Sequence, residues 1–400
     1  MSNFIETYLK HTSIYESPTS FWRWSAYASI AAILRDECWL PQGERKLFPN
    51  IYVLFLAESS GHRKGPPVDL SETLVNKTKK TKIISGRTSV EAILDELARV
   101  ETDRKTGVIS KAGSAIFYGA EMAAGIVASN DSLKILTDIY DYKTNPYKSR
   151  LRTGPCFNLE RIVFSMLSGS NEAMLKGLFG TAEIQGGFLA RTFLVTPNEF
   201  REPNSLMRLD PEERKISLNK VYDLFKPIGE LNGAFILEEE AIVEYESWYG
   251  AFKRSYQSKK ESSGIVGRIH TGVVKLAMLY AANDLRLNIL KCDIEESINE
   301  CLGLLPNYSV FTMSQGKSEI GQAGGLVITD LLSAKDNLMS RKELIRRHWQ
   351  DGVDGDMLDK LAVTLEQAGL IQQIQSKEGM FLKLSAVALE QLGQAGAVKK

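Results

Sequence analysis

The sequence is poor in the features that mark secreted, metal-stapled or membrane proteins. It has four cysteines (Cys38, Cys156, Cys292 and Cys301), with no CxxC spacing and no histidine close by. This pattern argues against a disulfide framework and a structural zinc site, and it suits a reducing compartment. Charge of either sign is not in excess, since 49 basic residues face 49 acidic ones. With no global field, any nucleic-acid contact has to come from local patches. No apolar run reaches the roughly 20 residues that cross a bilayer, so no membrane partner is expected. The first residues, Met1 to Tyr8, lack the basic and apolar regions of a signal peptide. A cytoplasmic protein is the expectation. Internal repeats and low-complexity segments are absent too. What is present is ordinary for a globular chain of 400 residues, 44% hydrophobic and 24% charged, and its length suits two or three domains.

One stretch stands out, from Asn50 to Pro67. Its first half, Ile51 to Ala57, is an apolar run bounded by Pro49, which predicts a buried strand of a parallel sheet. Its second half is Ser59, Ser60, Gly61, His62, Arg63, Lys64 and Gly65. A buried strand that runs into a small polar loop ending in lysine is how a phosphate-binding loop is built. Backbone N–H groups wrap the phosphate, the lysine supplies charge, and the next helix points its positive end inward. The usual loop has Ser or Thr after the lysine to help hold Mg²⁺, whereas Gly65 stands there. The stretch also reads as a strand, a turn and a solvated lysine.

The rest of the chain supplies further strands with polar ends. Residues 4–35 read as helical, the second helix carrying a stripe of Phe21, Trp24, Ala28, Ala31 and Leu34. A helix is expected from Asp69 to Val75, followed by Lys77, Lys79, Lys80 and Lys82, a solvated face or a DNA contact. Ala115 to Tyr118 predicts a strand ending in Gly119, Ala120 and Glu121. Glu121 is either a carboxylate that polarises an attacking water or a helix-start acid favoured by the dipole. After Tyr140 come Lys143, Tyr147, Lys148, Arg150 and Arg152, aromatics among cations. That mixture suits single-stranded DNA, by stacking plus phosphate contact; a basic loop at a subunit edge fits equally. Ile162 to Leu167 predicts a third strand, ending near Asn171, a candidate sensor of a γ-phosphate. Gly186 to Ala190 leads to Arg191 and the strand Thr192 to Val195. An arginine presented by a glycine turn suits a finger reaching a neighbouring subunit's phosphate.

In this order the motifs resemble a family of phage and prophage RecA-type P-loop proteins. That family is helicase-like and associated with primase-polymerase domains. The resemblance spans roughly residues 18–305. It implies an α/β fold with a RecA-like P-loop core, ATP and Mg²⁺ as cofactors, and a hexameric ring on single-stranded DNA, with a primase as a further partner. Residue by residue, it implies phosphate contact for Gly61 and Lys64, catalysis for Glu121, sensing for Asn171 and a finger in trans for Arg191. Gly65 and Ala120 depart from the pattern where the Mg²⁺ hydroxyl and aspartate belong, so no residue set is assigned to a metal.

The implied division is an N-terminal helical region (1–48), a RecA-like core (49–200), a helical extension (201–310), a linker (311–323) and a winged-helix domain (324–390). In the last of these, Ser340 to Glu343 forms a capping box, and a hairpin turns around Lys377 to Gly379. The third helix is led by Asp354, Asp356 and Asp359, a poor match to phosphate. A packing or protein-contact role is expected there. The chain as a whole reads as an ATP-dependent nucleic-acid translocase. Two alternatives are a ring or loader subunit without turnover and a regulator centred on the last domain.

Overall fold

The computed structural model describes residues 3–58, 61–98, 101–102, 109–110, 112–122, 126, 130–141, 147–149, 157–159, 161–171, 174–175, 187–199, 201–204, 210–256, 264–308, 319–377 and 379–391. It divides into two compact units, residues 1–301 and 302–400. The N-terminal helices and residues 201–301 belong to the same unit as the core.

The first unit is built on five strands, β1 (Tyr52–Leu56), β2 (Lys82–Ser85), β3 (Ala112–Gly119), β4 (Arg161–Ser170) and β5 (Thr192–Val195). All pair in parallel, in the order β5-β1-β4-β3-β2. Every residue of β1 is buried, as expected of a central parallel strand covered on both faces. β4 lies between β1 and β3, so the strand that leads to Glu121 is two places from the loop strand.

Helices α1 (Phe4–His11) and α2 (Thr19–Leu34) precede the sheet. Thirteen of the sixteen residues of α2 are buried, so the expected one-sided stripe is apolar on all sides, the mark of an interior helix. Phe21 stacks on Phe55 of β1 at 4.4 Å, and Trp24 meets Phe193 of β5 at 4.7 Å. Next come α3 (Gly65–Thr78), α4 (Val90–Ala98), α5 (Asn130–Tyr140), α6 (Pro211–Phe225), α7 (Glu239–Tyr256), α8 (Ile269–Asn283) and α9 (Lys291–Gly303). Ser71 of α3 links α2 and β3 through Ser29 Oγ at 2.6 Å and Tyr118 OH at 3.0 Å. α3 starts four residues before the expected Asp69, because Pro66 and Pro67 sit in its first turn. Their missing N–H groups have no intrahelical partner there to lose. Asp293 lies in the first turn of α9 and accepts from Leu290 N at 2.7 Å and from Arg286.

The second unit packs α10 (Glu319–Ser333), α11 (Arg341–His348) and α12 (Gly355–Gln367) with a three-stranded antiparallel sheet. Its strands β6 (Leu338–Ser340), β7 (Ile371–Ser376) and β8 (Gly379–Leu384) pair in the order β6-β8-β7. Ser340 caps α11 through Glu343 N at 3.2 Å, and Asp354 caps α12 through Met357 N at 2.8 Å. β6 is too short to show a period, so only its pairing with β8 reveals it.

At the amino end of β1, Lys275 of α8 is buried at 1% exposure. Its Nζ donates to Asn50 O at 2.7 Å and Asn50 Oδ1 at 2.8 Å, and lies 4.0 Å over the Tyr140 ring. Burial pulls its ammonium down from 10.5 to about 7; Arg268 and Arg191 push the same way and Asp141 opposes. The folded state thus releases a proton that the unfolded chain keeps until about pH 10.4. Between these values the unfolded chain binds more protons, so stability rises with pH. Urea unfolding at pH 7, 8 and 9 is expected to show a gain of at most about 1.4 kcal/mol per unit, and Lys275→Met should flatten that slope.

Candidate functional site

The carboxyl ends of β1, β4 and β3 come level, with Leu56 beside Ser170 and Ser168 beside Gly119. Side chains that follow these strands gather at one edge. Lys64, last residue before α3, is only 7% exposed. Its Nζ donates to Ala57 O at 2.7 Å and lies 3.7 Å from Glu121 Oε1. The other carboxylate oxygen of Glu121 is buried and has no hydrogen-bond partner among the described residues. Gly169 makes this approach possible. A Cβ there would stand 2.5 Å from Ala120 O and 3.2 Å from Lys64 Cδ, so a larger residue would push the lysine away. Asn171, just past β4, accepts from Met174 N at 2.8 Å and caps the turn that follows.

Within the loop, Gly61 is exposed. Burial holds the His62 imidazole below its ordinary value; Glu58 opposes the shift and Lys64 adds to it. That keeps the ring neutral at pH 7. Ser59 and Ser60 lie outside the described residues. Arg63 takes a left-handed backbone, φ +42°, and its Nε is 2.5 Å from Glu16. The amino end of α3 offers its dipole to an anion, but Pro66 and Pro67 remove two first-turn donors. A phosphate would therefore be held by the loop amides and Lys64 more than by the helix.

The site does not fit a dedicated Mg²⁺. Gly65 has no hydroxyl, Gly119 and Ala120 bring no carboxylate ahead of Glu121, and among the described residues no three His, Cys, Asp or Glu come close enough for a metal.

Arg191 lies at the other end of the sheet, since Thr192 pairs with Tyr52, the first residue of β1. Within its own chain it is engaged by a carboxylate and a carbonyl. It donates to Asp141 Oδ2 at 2.7 and 3.1 Å and to Gly187 O at 2.8 Å. Arg268 joins at 2.9 Å from the same carboxylate. Burial alone would raise the Asp141 carboxyl, but the two guanidiniums outweigh it and hold it below the usual carboxylate range. Tyr147 and Lys148 form part of a short antiparallel arm, Tyr147–Ser149 paired with Phe157–Leu159, with Lys148 exposed. Lys143, Arg150 and Arg152 lie outside the described residues. Lysines in the last turn of α3 and just after it interact within the chain. Lys77 sits 3.9 Å over Tyr222, Lys80 reaches Gly229 O and Glu230 at 2.7 Å, and Lys82 reaches Glu96 O at 3.1 Å.

Glu16, Ser17, Asp141 and Arg268 escaped the sequence reading as site residues. Each acts through partners 46 or more residues away, and no local pattern signals such pairs. No protein-family model matches the chain, and no curated protein matches it.

Arg191→Ala leaves Asp141 with one guanidinium instead of two. Urea unfolding is expected to show a loss of about 2 kcal/mol.

Proposed function

We propose that the first unit is a RecA-like P-loop ATPase core, and that the chain is a ring-forming nucleic-acid translocase acting on single-stranded DNA. The observation that carries this reading is the buried Lys64 meeting Glu121 across one interposed strand. Strands two places apart are about 10 Å apart, which leaves room for a terminal phosphate and a water between lysine and carboxylate. The two side chains lie 3.7 Å apart. ATP would enter between them. Lys64 exchanges the Ala57 carbonyl for phosphate oxygens, and Glu121 turns its unpartnered oxygen to the attacking water as general base. The Tyr147–Leu159 arm, with its basic flanks, is the proposed DNA-binding element. A hexamer and a primase partner follow from the family resemblance alone.

We read the second unit as a winged helix used for protein contact. Arg341 is paired with Asp359 at 2.7 Å, and Arg346 and Arg347 with Glu343 at 2.9 and 3.0 Å. These cations are already answered within the unit, which leaves little charge for DNA phosphates.

A second reading is a ring or loader subunit that binds nucleotide without turnover. Gly65, Ala120, Pro66 and Pro67 favour it, because each removes a group that a turning-over site uses.

ATP hydrolysis with and without single-stranded DNA separates the two. Lys64→Ala should abolish nucleotide binding in either case, and unchanged affinity would sink the loop reading. Glu121→Gln should keep binding and stop turnover. A wild type that binds ATP but never hydrolyses it selects the loader.

Replacing Lys148, Arg150 and Arg152 by Ala should lower the salt slope of single-strand binding by about 0.7 for each phosphate that is no longer neutralised. An unchanged slope would make the arm structural.

A further inference from the structure

Arg63 holds a backbone conformation that arginine seldom takes. At φ +42° it lies in the left-handed region, where Cβ crowds the carbonyl oxygen. Two interactions from the turn between α1 and α2 keep it there. Ser17 Oγ donates to the Arg63 carbonyl oxygen at 2.8 Å, and the Glu16 carboxylate sits 2.5 Å from the guanidinium Nε. Neither comes from the loop, whose nearest described residues are Gly61 and His62.

The turn itself is anchored elsewhere. Ser17 is fully buried. The second oxygen of Glu16 accepts from the Asn204 amide at 2.6 Å, and Asn204 Nδ2 returns to Ile14 O at 3.0 Å. Arg201 Nη1 donates to Thr12 O at 3.0 Å and Tyr15 O at 3.2 Å. The chain leaving β5 thus fixes residues 12–17 before they touch the loop.

The consequence follows from peptide geometry. The Arg63 carbonyl and the Lys64 N–H share one planar trans peptide and point in opposite directions. A hydrogen bond that pins the carbonyl toward Ser17 therefore turns the Lys64 amide away from Ser17. The same plane sets the direction in which the Lys64 side chain leaves the backbone. We infer that Glu16 and Ser17 are positioning residues of the phosphate loop, holding Arg63 left-handed so that the Lys64 amide and ammonium face the bound phosphate. The inference rests on the phosphate-loop reading and adds the element that aims it. It gives Arg63 a role in loop shape, separate from its charge.

The test uses the full chain, a fluorescent ATP analogue, and amide-hydrogen exchange of residues 61–65 without nucleotide. Glu16→Gln retains an acceptor for Asn204 but removes the charge that holds Arg63. Its affinity is expected to fall about tenfold, with faster exchange at 61–65 and an unchanged thermal midpoint. Arg63→Gly removes the need for the turn, because glycine adopts this φ without help. The double variant Glu16→Gln/Arg63→Gly should therefore bind as tightly as Arg63→Gly alone, which a general loss of structure would not produce. Unchanged affinity in Glu16→Gln overturns the inference. So does a double variant weaker than Arg63→Gly alone, since Glu16 would then act by a route other than Arg63. A wild type that binds no nucleotide rejects the phosphate reading instead. In that case exchange at 61–65 decides alone: faster exchange in Glu16→Gln supports the turn as the holder of the loop, and equal exchange rejects it.

Discussion

Five parallel strands in register impose the constraint on which everything else rests. A parallel pair cannot be closed by a tight hairpin, so each connection must cross a face of the sheet. Both faces are then covered, and the strands become apolar throughout. α2 answers this demand with aromatic residues on β1 and β5, and α8 with twelve buried residues out of fifteen. Polar chemistry is thereby driven to the two edges where strands begin and end.

The two edges have opposite characters. At the carboxyl edge Lys64 is held by one backbone carbonyl and one loosely placed carboxylate, and Glu121 keeps a buried oxygen unanswered. Such groups have weak partners to give up. At the amino edge Asp141, Arg191, Arg268, Lys275 and Asn50 answer one another at short range. An arginine already bonded to a carboxylate and a carbonyl stabilises its own fold, and releasing it to act elsewhere would leave Asp141 undercompensated. This difference in satisfaction separates a site that can accept a ligand from one that holds structure.

The loop is also supported from outside. Residues 12–17 are tied by Arg201 and Asn204, and Glu16 and Ser17 grip Arg63. The helical segment ahead of the sheet therefore contributes to the candidate site as well as to the core. Treating it as a separate region hides that contribution.

The sequence by itself determined the buried strand at Tyr52–Leu56, the loop ending in Lys64, the strands ending near Glu121 and Asn171, and the cap at Ser340. Each is written in a local period or in a side chain that bonds its own backbone three residues on. Only the tertiary structure decided that β4 separates β1 from β3, that Arg191 turns inward to Asp141, and that Glu16 and Ser17 hold Arg63. Strand order and long-range pairs depend on how faces pack, and one apolar strand looks like another until its neighbours are known. The φ of Arg63 is the plainest case. Nothing in an arginine announces a left-handed backbone, and the contacts that hold it come from Ser17 and Glu16, 46 or more residues away.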